Sequence, residues 1–220
     1  MKITSLFTRL AKRQTTASRI ARCMAIAALT LFGANAVRAA NYLVDGAWTQ
    51  NFTLQNGDVL ELTTTQQPSG HNIWVAGQNV QIIQTGGTAY NNLSITVHSG
   101  ASVTLEDVKL GTNASLSGQG GDITVVDLNV NPASRVVLQG STLTFDGANN
   151  EFVVRVASPN SGLVGMAGAK LVADGGNSYP GIEVIETAEL TIDGDPTAEI
   201  IASASDRHAA IGGVGGLDGT

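Results

Sequence analysis

Between Ile95 and Leu105 the chain alternates apolar and polar residues twice around a small-residue bend: Ile95-Thr96-Val97, then His98 to Ser102, then Val103-Thr104-Leu105. Side chains of an extended strand point alternately to its two faces, so each apolar pair shares one face. The same frame returns without gaps at Phe52/Leu54 with Leu60/Leu62, at Leu128/Val130 with Val136/Leu138, and at Ile182/Val184 with Leu190/Ile192. In each copy the second pair begins six residues after the first ends. A weaker copy has Leu163 and Leu171, with Gly165 and Ala173 at the other two apolar positions. One pair of short strands has nothing to bury its apolar face against, whereas several stacked pairs bury it continuously. The pattern predicts an all-β chain, a single-stranded parallel β-helix solenoid. The copies start at unequal intervals, which a β-helix tolerates because its strands stack while its loops vary. An antiparallel β-sandwich also uses many short alternating strands and is the alternative.

The first 39 residues stand apart from this pattern. They carry Lys2, Arg9, Lys12, Arg13, Arg19, Arg22 and Arg38 but no acidic residue, followed from Met24 to Phe32 by a short apolar run. Val37-Arg38-Ala39 supplies a small-x-small cleavage site. This order is that of a secretory signal peptide, and the apolar run is too short for a membrane anchor. Residues 40–66 then read as an N-terminal cap and first coil, with Tyr42, Leu43 and Trp48 as the capping side chains. Residues 67–220 read as β-helix coils that continue beyond Thr220. The single cysteine, Cys23, precedes the apolar run, so the exported chain relies on its core and backbone ladders rather than on disulfides.

Removing the basic leader leaves five basic residues of twelve against all eighteen acids, a net charge near −13. A surface of that sign repels nucleic acid and anionic lipid. The expected location is outside the cell or on its surface, not within a membrane.

Trp74 falls between Ile73 and Val75 and therefore on the outward face of its strand. With His71 and Asn72 beside it, it is the aromatic candidate for ligand contact. Asp193 and Asp195 are two residues apart and are the candidate calcium ligands, although Gly194 and Pro196 mark a turn there and the later ligands of an EF-hand loop are missing. No other cofactor is implied: His71, His98 and His208 have no zinc spacing. Glu106 and Asp107 are adjacent, so a strand points them to opposite faces and they do not form a hydrolytic pair. The basic residues left for a lyase are Lys109, Arg135, Arg155, Lys170 and Arg207. No residue is assigned a catalytic role.

The last thirteen residues begin His208-Ala209-Ala210-Ile211-Gly212-Gly213 and continue rich in glycine. This segment resembles the turns of long repetitive right-handed β-helix surface proteins of bacteria, adhesin-like members of the pectin-lyase-like fold group. The resemblance implies an N-terminal fragment of a longer exported protein. Its function would be adhesion or binding, to extracellular glycans or a host surface, or that of a rigid stalk. It also implies self-association through an open last coil. The alternative it carries is a polysaccharide lyase or hydrolase of the same group.

Overall fold

The computed structural model describes residues 39–67, 70–131, 134–205 and 208–213. The leader, Pro68, Pro132, the Asp206-Arg207 pair and the glycine turn after Gly213 lie outside the described residues.

Three sheets make up the fold, two of eight strands and one of five, and every strand pair in them is parallel. The first sheet starts at Asn41–Val44 and ends at Leu190–Gly194; the second starts at Phe52–Leu54 and ends at Ile211–Gly212. The third begins at Lys109–Leu110 and ends at Glu199–Ser203. A central coil visits them in turn: Lys109–Leu110 on the third, Ser115–Gln119 on the second, Asp122–Val126 on the first. The next coil opens at Asn129–Val130, stacked on Lys109–Leu110. This is the predicted parallel β-helix, and the antiparallel sandwich is excluded.

Alternation becomes a core because stacking keeps like positions in register. On the second sheet, Ile73, Ile95, Leu116, Val136, Val154 and Ile182 form one inward ladder, all fully buried. On the first, Leu60, Ile82, Leu105, Val125 and Phe145 do the same, and the ladder ends in Gly165 and Gly194. Burying each aliphatic side chain contributes about 1.5–3 kcal/mol against the conformational entropy of ordering it.

The five sequence copies do not mark one repeat. Phe52–Leu54 to Val59–Leu62, Ser94–Val97 to Ser102–Glu106, and Ile182–Val184 to Leu190–Gly194 each turn from the second sheet to the first. The Leu128 copy turns from the third sheet to the second, and the Leu163 copy from the first to the third. Any two half-buried strands flanking a short corner generate the frame. The shared Asp-Gly endings at Asp174-Gly175 and Asp193-Gly194 therefore belong to different sheets and are coincident.

The true repeat is the step between stacked partners. It is 20 residues from Val103 to Ile123, Leu143 and Leu163, and 29 from Leu163 to Ile192, where the loops lengthen. Corner residues with left-handed backbone carry the same step: Asn79, Gly100, Gly120, Gly140 and Asn160 turn the second sheet into the first, with φ from 57° to 75°. Asparagine and glycine bear this conformation at least cost. Asn79→Gly is expected to leave stability nearly unchanged, while Asn79→Val costs about 1–2 kcal/mol; urea denaturation of both variants checks the difference.

Large aromatics close the first coils. Trp48 is 8% exposed and packs edge-on against Phe52, His71 and Tyr90 at centroid distances of 6.2, 6.0 and 5.7 Å. Tyr90 is fully buried, its hydroxyl donates to the Thr64 carbonyl at 2.7 Å, and burial pushes its phenol above the usual range. Leu43, expected in the cap, points outward and is 58% exposed. Its place in the strand Asn41–Val44 alternates with Tyr42 and Val44, which face the core.

Candidate functional site

The strands of the third sheet are short, and a groove of about 470 Å³ runs over their outer face. Its principal polar lining is Lys109, Asn129, Asn131, Glu151 and Asp174, over a floor that includes Phe152. The backbone places these residues together: Lys109 pairs with Asn129, Asn129 with Glu151, and Glu151 with Val172, two residues before Asp174.

Two buried amides hold the strands that carry the groove. Gln84, 2% exposed, accepts from the Lys109 N–H through Oε1 at 2.8 Å and donates from Nε2 to the carbonyls of Gly86 and Thr88, both at 2.7 Å. Asn150, fully buried beside Glu151, accepts from the Leu128 N–H at 2.9 Å and donates to the Gly147 carbonyl at 2.8 Å. Leaving such groups unpaired would cost about 1–3 kcal/mol each, so the strand positions are tightly determined. At the groove's end, the Asp174 carboxylate accepts from the Gly176 N–H at 3.0 Å.

Glu151 and Asp174 point outward one strand and two residues apart, a backbone separation of about 8 Å from strand spacing and rise. Chain distance conceals this pairing, and the coil step of roughly twenty residues is the signal that reveals it. The groove therefore offers carboxylates, amides and one ammonium group over an apolar floor, chemistry suited to hydroxyl-rich ligands with an apolar face.

The expected aromatic site is divided. Trp74 and Asn72 lie on the outer face of the second sheet, and Trp74 is in register with Thr53 and Thr96. His71 instead turns onto Trp48, with its Nδ1 buried and without a hydrogen-bond partner. Trp48 is enclosed by its aromatic neighbours and offers no open face for a sugar. Asp193 and Asp195 serve their own turn. Asp193 accepts from the Gly194 N–H at 2.7 Å, and Asp195 accepts from the hydroxyl and N–H of Thr197 at 2.6 and 2.8 Å. The Thr197 hydroxyl, with its N–H, holds the Asp195 carboxyl below the usual carboxylate range. Among the described residues no cluster of three or more metal-ligating side chains is present.

A second charged cluster, not singled out in the sequence, lies on the outer face of the second sheet. Glu183 meets Arg135 at 2.6 Å and Arg155 at 3.5 Å through the same oxygen, and the Arg135 guanidinium sits 3.9 Å from the centre of the Tyr179 ring. Arg135 and Arg155 are one coil step apart, and Arg155 pairs directly with Glu183.

No protein-family model, curated protein or solved structure matches this chain, so its functional reading rests on the geometry of its own surface.

Proposed function

We propose that the protein is exported and displayed outside the cell, where it acts by binding an extended carbohydrate chain in the groove on the third sheet. The observation that carries this reading is the groove itself, with Asn129, Asn131, Glu151 and Asp174 along an apolar floor that includes Phe152. Sugar rings present a rim of hydroxyls to amides and carboxylates and an apolar face to carbon surfaces. The leader's basic and apolar regions support export, and the Ala209-to-Gly213 turn resembles those of bacterial adhesin-like β-helices of the pectin-lyase-like group. The reading includes no cofactor: EGTA is expected to leave the melting temperature unchanged, and a fall would restore calcium at Asp193 and Asp195. It does include self-association through the last described coil, where Ile192, Ile201 and Ile211 are exposed. Light scattering over a concentration series measures that.

The test is retention on a panel of immobilised polysaccharides. At least one is expected to hold the full chain without turnover, and the double variant Asn129→Ala/Glu151→Ala is expected to weaken retention about tenfold or more while leaving the fold intact. Equal retention of the variant removes the groove from the function.

One observation favours a second reading, glycoside hydrolysis. Glu151 and Asp174 face the same groove at a backbone separation compatible with an inverting pair of carboxylates. Release of reducing ends from the retained polysaccharide, abolished by Asp174→Asn, would replace the binding reading with that one.

A further inference from the structure

Along the outer face of the second sheet, Trp74, Thr96, Ser117, Val137, Arg155 and Glu183 stand in one row, each in register with the next. The end of that row is electrostatically unbalanced. Glu183 is 5% exposed, and its Oε2 faces both guanidinium groups. Arg135 is held twice, by that oxygen at 2.6 Å and by the face of Tyr179. Arg155 is not. Its Nε stands 3.5 Å from Glu183, beyond the usual length of a good N–H···O bond, and is buried with no hydrogen-bond partner. The Arg155 side chain nevertheless keeps 41% exposure, so its fork is open to a ligand. Two guanidiniums against one carboxylate leave one positive charge on a chain that outside its leader is strongly acidic.

A surplus guanidinium with an unmatched donor is suited to a planar or tetrahedral anion. The four strand steps from Trp74 to Arg155 span about 19 Å, with the hydroxyls of Thr96 and Ser117 between them. An indole at one end suits the apolar face of a sugar ring. We infer that this row is a second binding surface, for a short neutral oligosaccharide that carries one acidic group, a sulfate ester or a carboxylate, held by Arg155. A polyanion does not fit, because one local positive charge is set against repulsion from the rest of the protein. The row lies on a different sheet from the groove, so this inference does not depend on the groove reading.

The experiment is calorimetric titration of the full chain with three forms of an N-acetylglucosamine tetrasaccharide: neutral, with one sulfate ester, and with one carboxylate. One acidic form is expected to bind about tenfold or more tightly than its neutral twin, and the sulfate and carboxylate arms tell which group is read. Arg155→Gln is expected to abolish that preference, Arg155→Lys to keep part of it, and Trp74→Ala to weaken all three forms alike. In the ¹⁵N-labelled protein, the Arg155 Nε–H signal, assigned by its loss in Arg155→Gln, is expected to shift on adding the preferred form. Equal affinity for all three forms, a preference that survives Arg155→Gln, or no binding by any form overturns the inference. So does binding that is lost in Asn129→Ala/Glu151→Ala and unaffected in Arg155→Gln, which would assign the ligand to the groove alone.

Discussion

Phe145→Ala is expected to lower folding stability by about 3–5 kcal/mol, among the largest losses that a single side chain of this protein can produce. Phe145 is fully buried on the inward ladder of the first sheet, below Val125 and above Gly165. Its ring fills the space that Gly165 vacates: a Cβ on Gly165 would lie 2.7 Å from the Phe145 ring and 2.4 Å from the Cβ of Ala198. With the ring removed, no side chain on the Gly165 rung is available to close the cavity. Gly165→Leu is expected to destabilise by about 1–3 kcal/mol or more through overpacking. Combining Phe145→Ala with Gly165→Val should recover part of the loss, because the two positions share one volume. Urea denaturation measures all three as shifts in midpoint at constant slope. Losses below 1 kcal/mol for both single variants would mean that the ring and the glycine are not complementary.

Asp58→Ala is expected to cost about 3 kcal/mol and to loosen the first coil selectively. The Asp58 side chain is almost fully buried, and its two oxygens accept from the N–H groups of Ala40 and Gln55, each at 2.7 Å. Alanine leaves both donors without partners where little water reaches them. A solenoid coil contacts chiefly its neighbours, so the damage should remain local. Amide exchange is expected to accelerate in Asn41–Val44 and Phe52–Leu54 and to stay slow in Ser115–Gln119. Uniform acceleration through all coils would contradict this local role. Asp58→Asn, which keeps an acceptor at one oxygen, should fall between the two.

Which faces turn inward was legible in the sequence. Alternation put Ile73, Ile95 and Val97 inside and Trp74 outside, and the structure has them so. The repeat was misjudged for a physical reason: a strand–corner–strand frame is a local pattern that any corner of the coil produces. Left-handed asparagines and glycines at steps of 20–22 residues, from Asn79 to Asn160, were the better signal. They were harder to see because asparagine and glycine also occur in ordinary turns.

The site was less legible than the fold. Nothing near Glu151 in the chain points to Asp174, or near Arg135 to Glu183. The sequence by itself determined that the strands are short, half-buried and suited to stacking, since side-chain alternation depends only on neighbouring residues. Only the tertiary structure decided which residues share a rung. Register is set by backbone hydrogen bonds between coils and by the length of every loop between them, and the longer final loops move the step from 20 to 29 residues. The groove on the third sheet and the unbalanced arginine on the second are products of that register, whereas the inward ladders needed only the alternation.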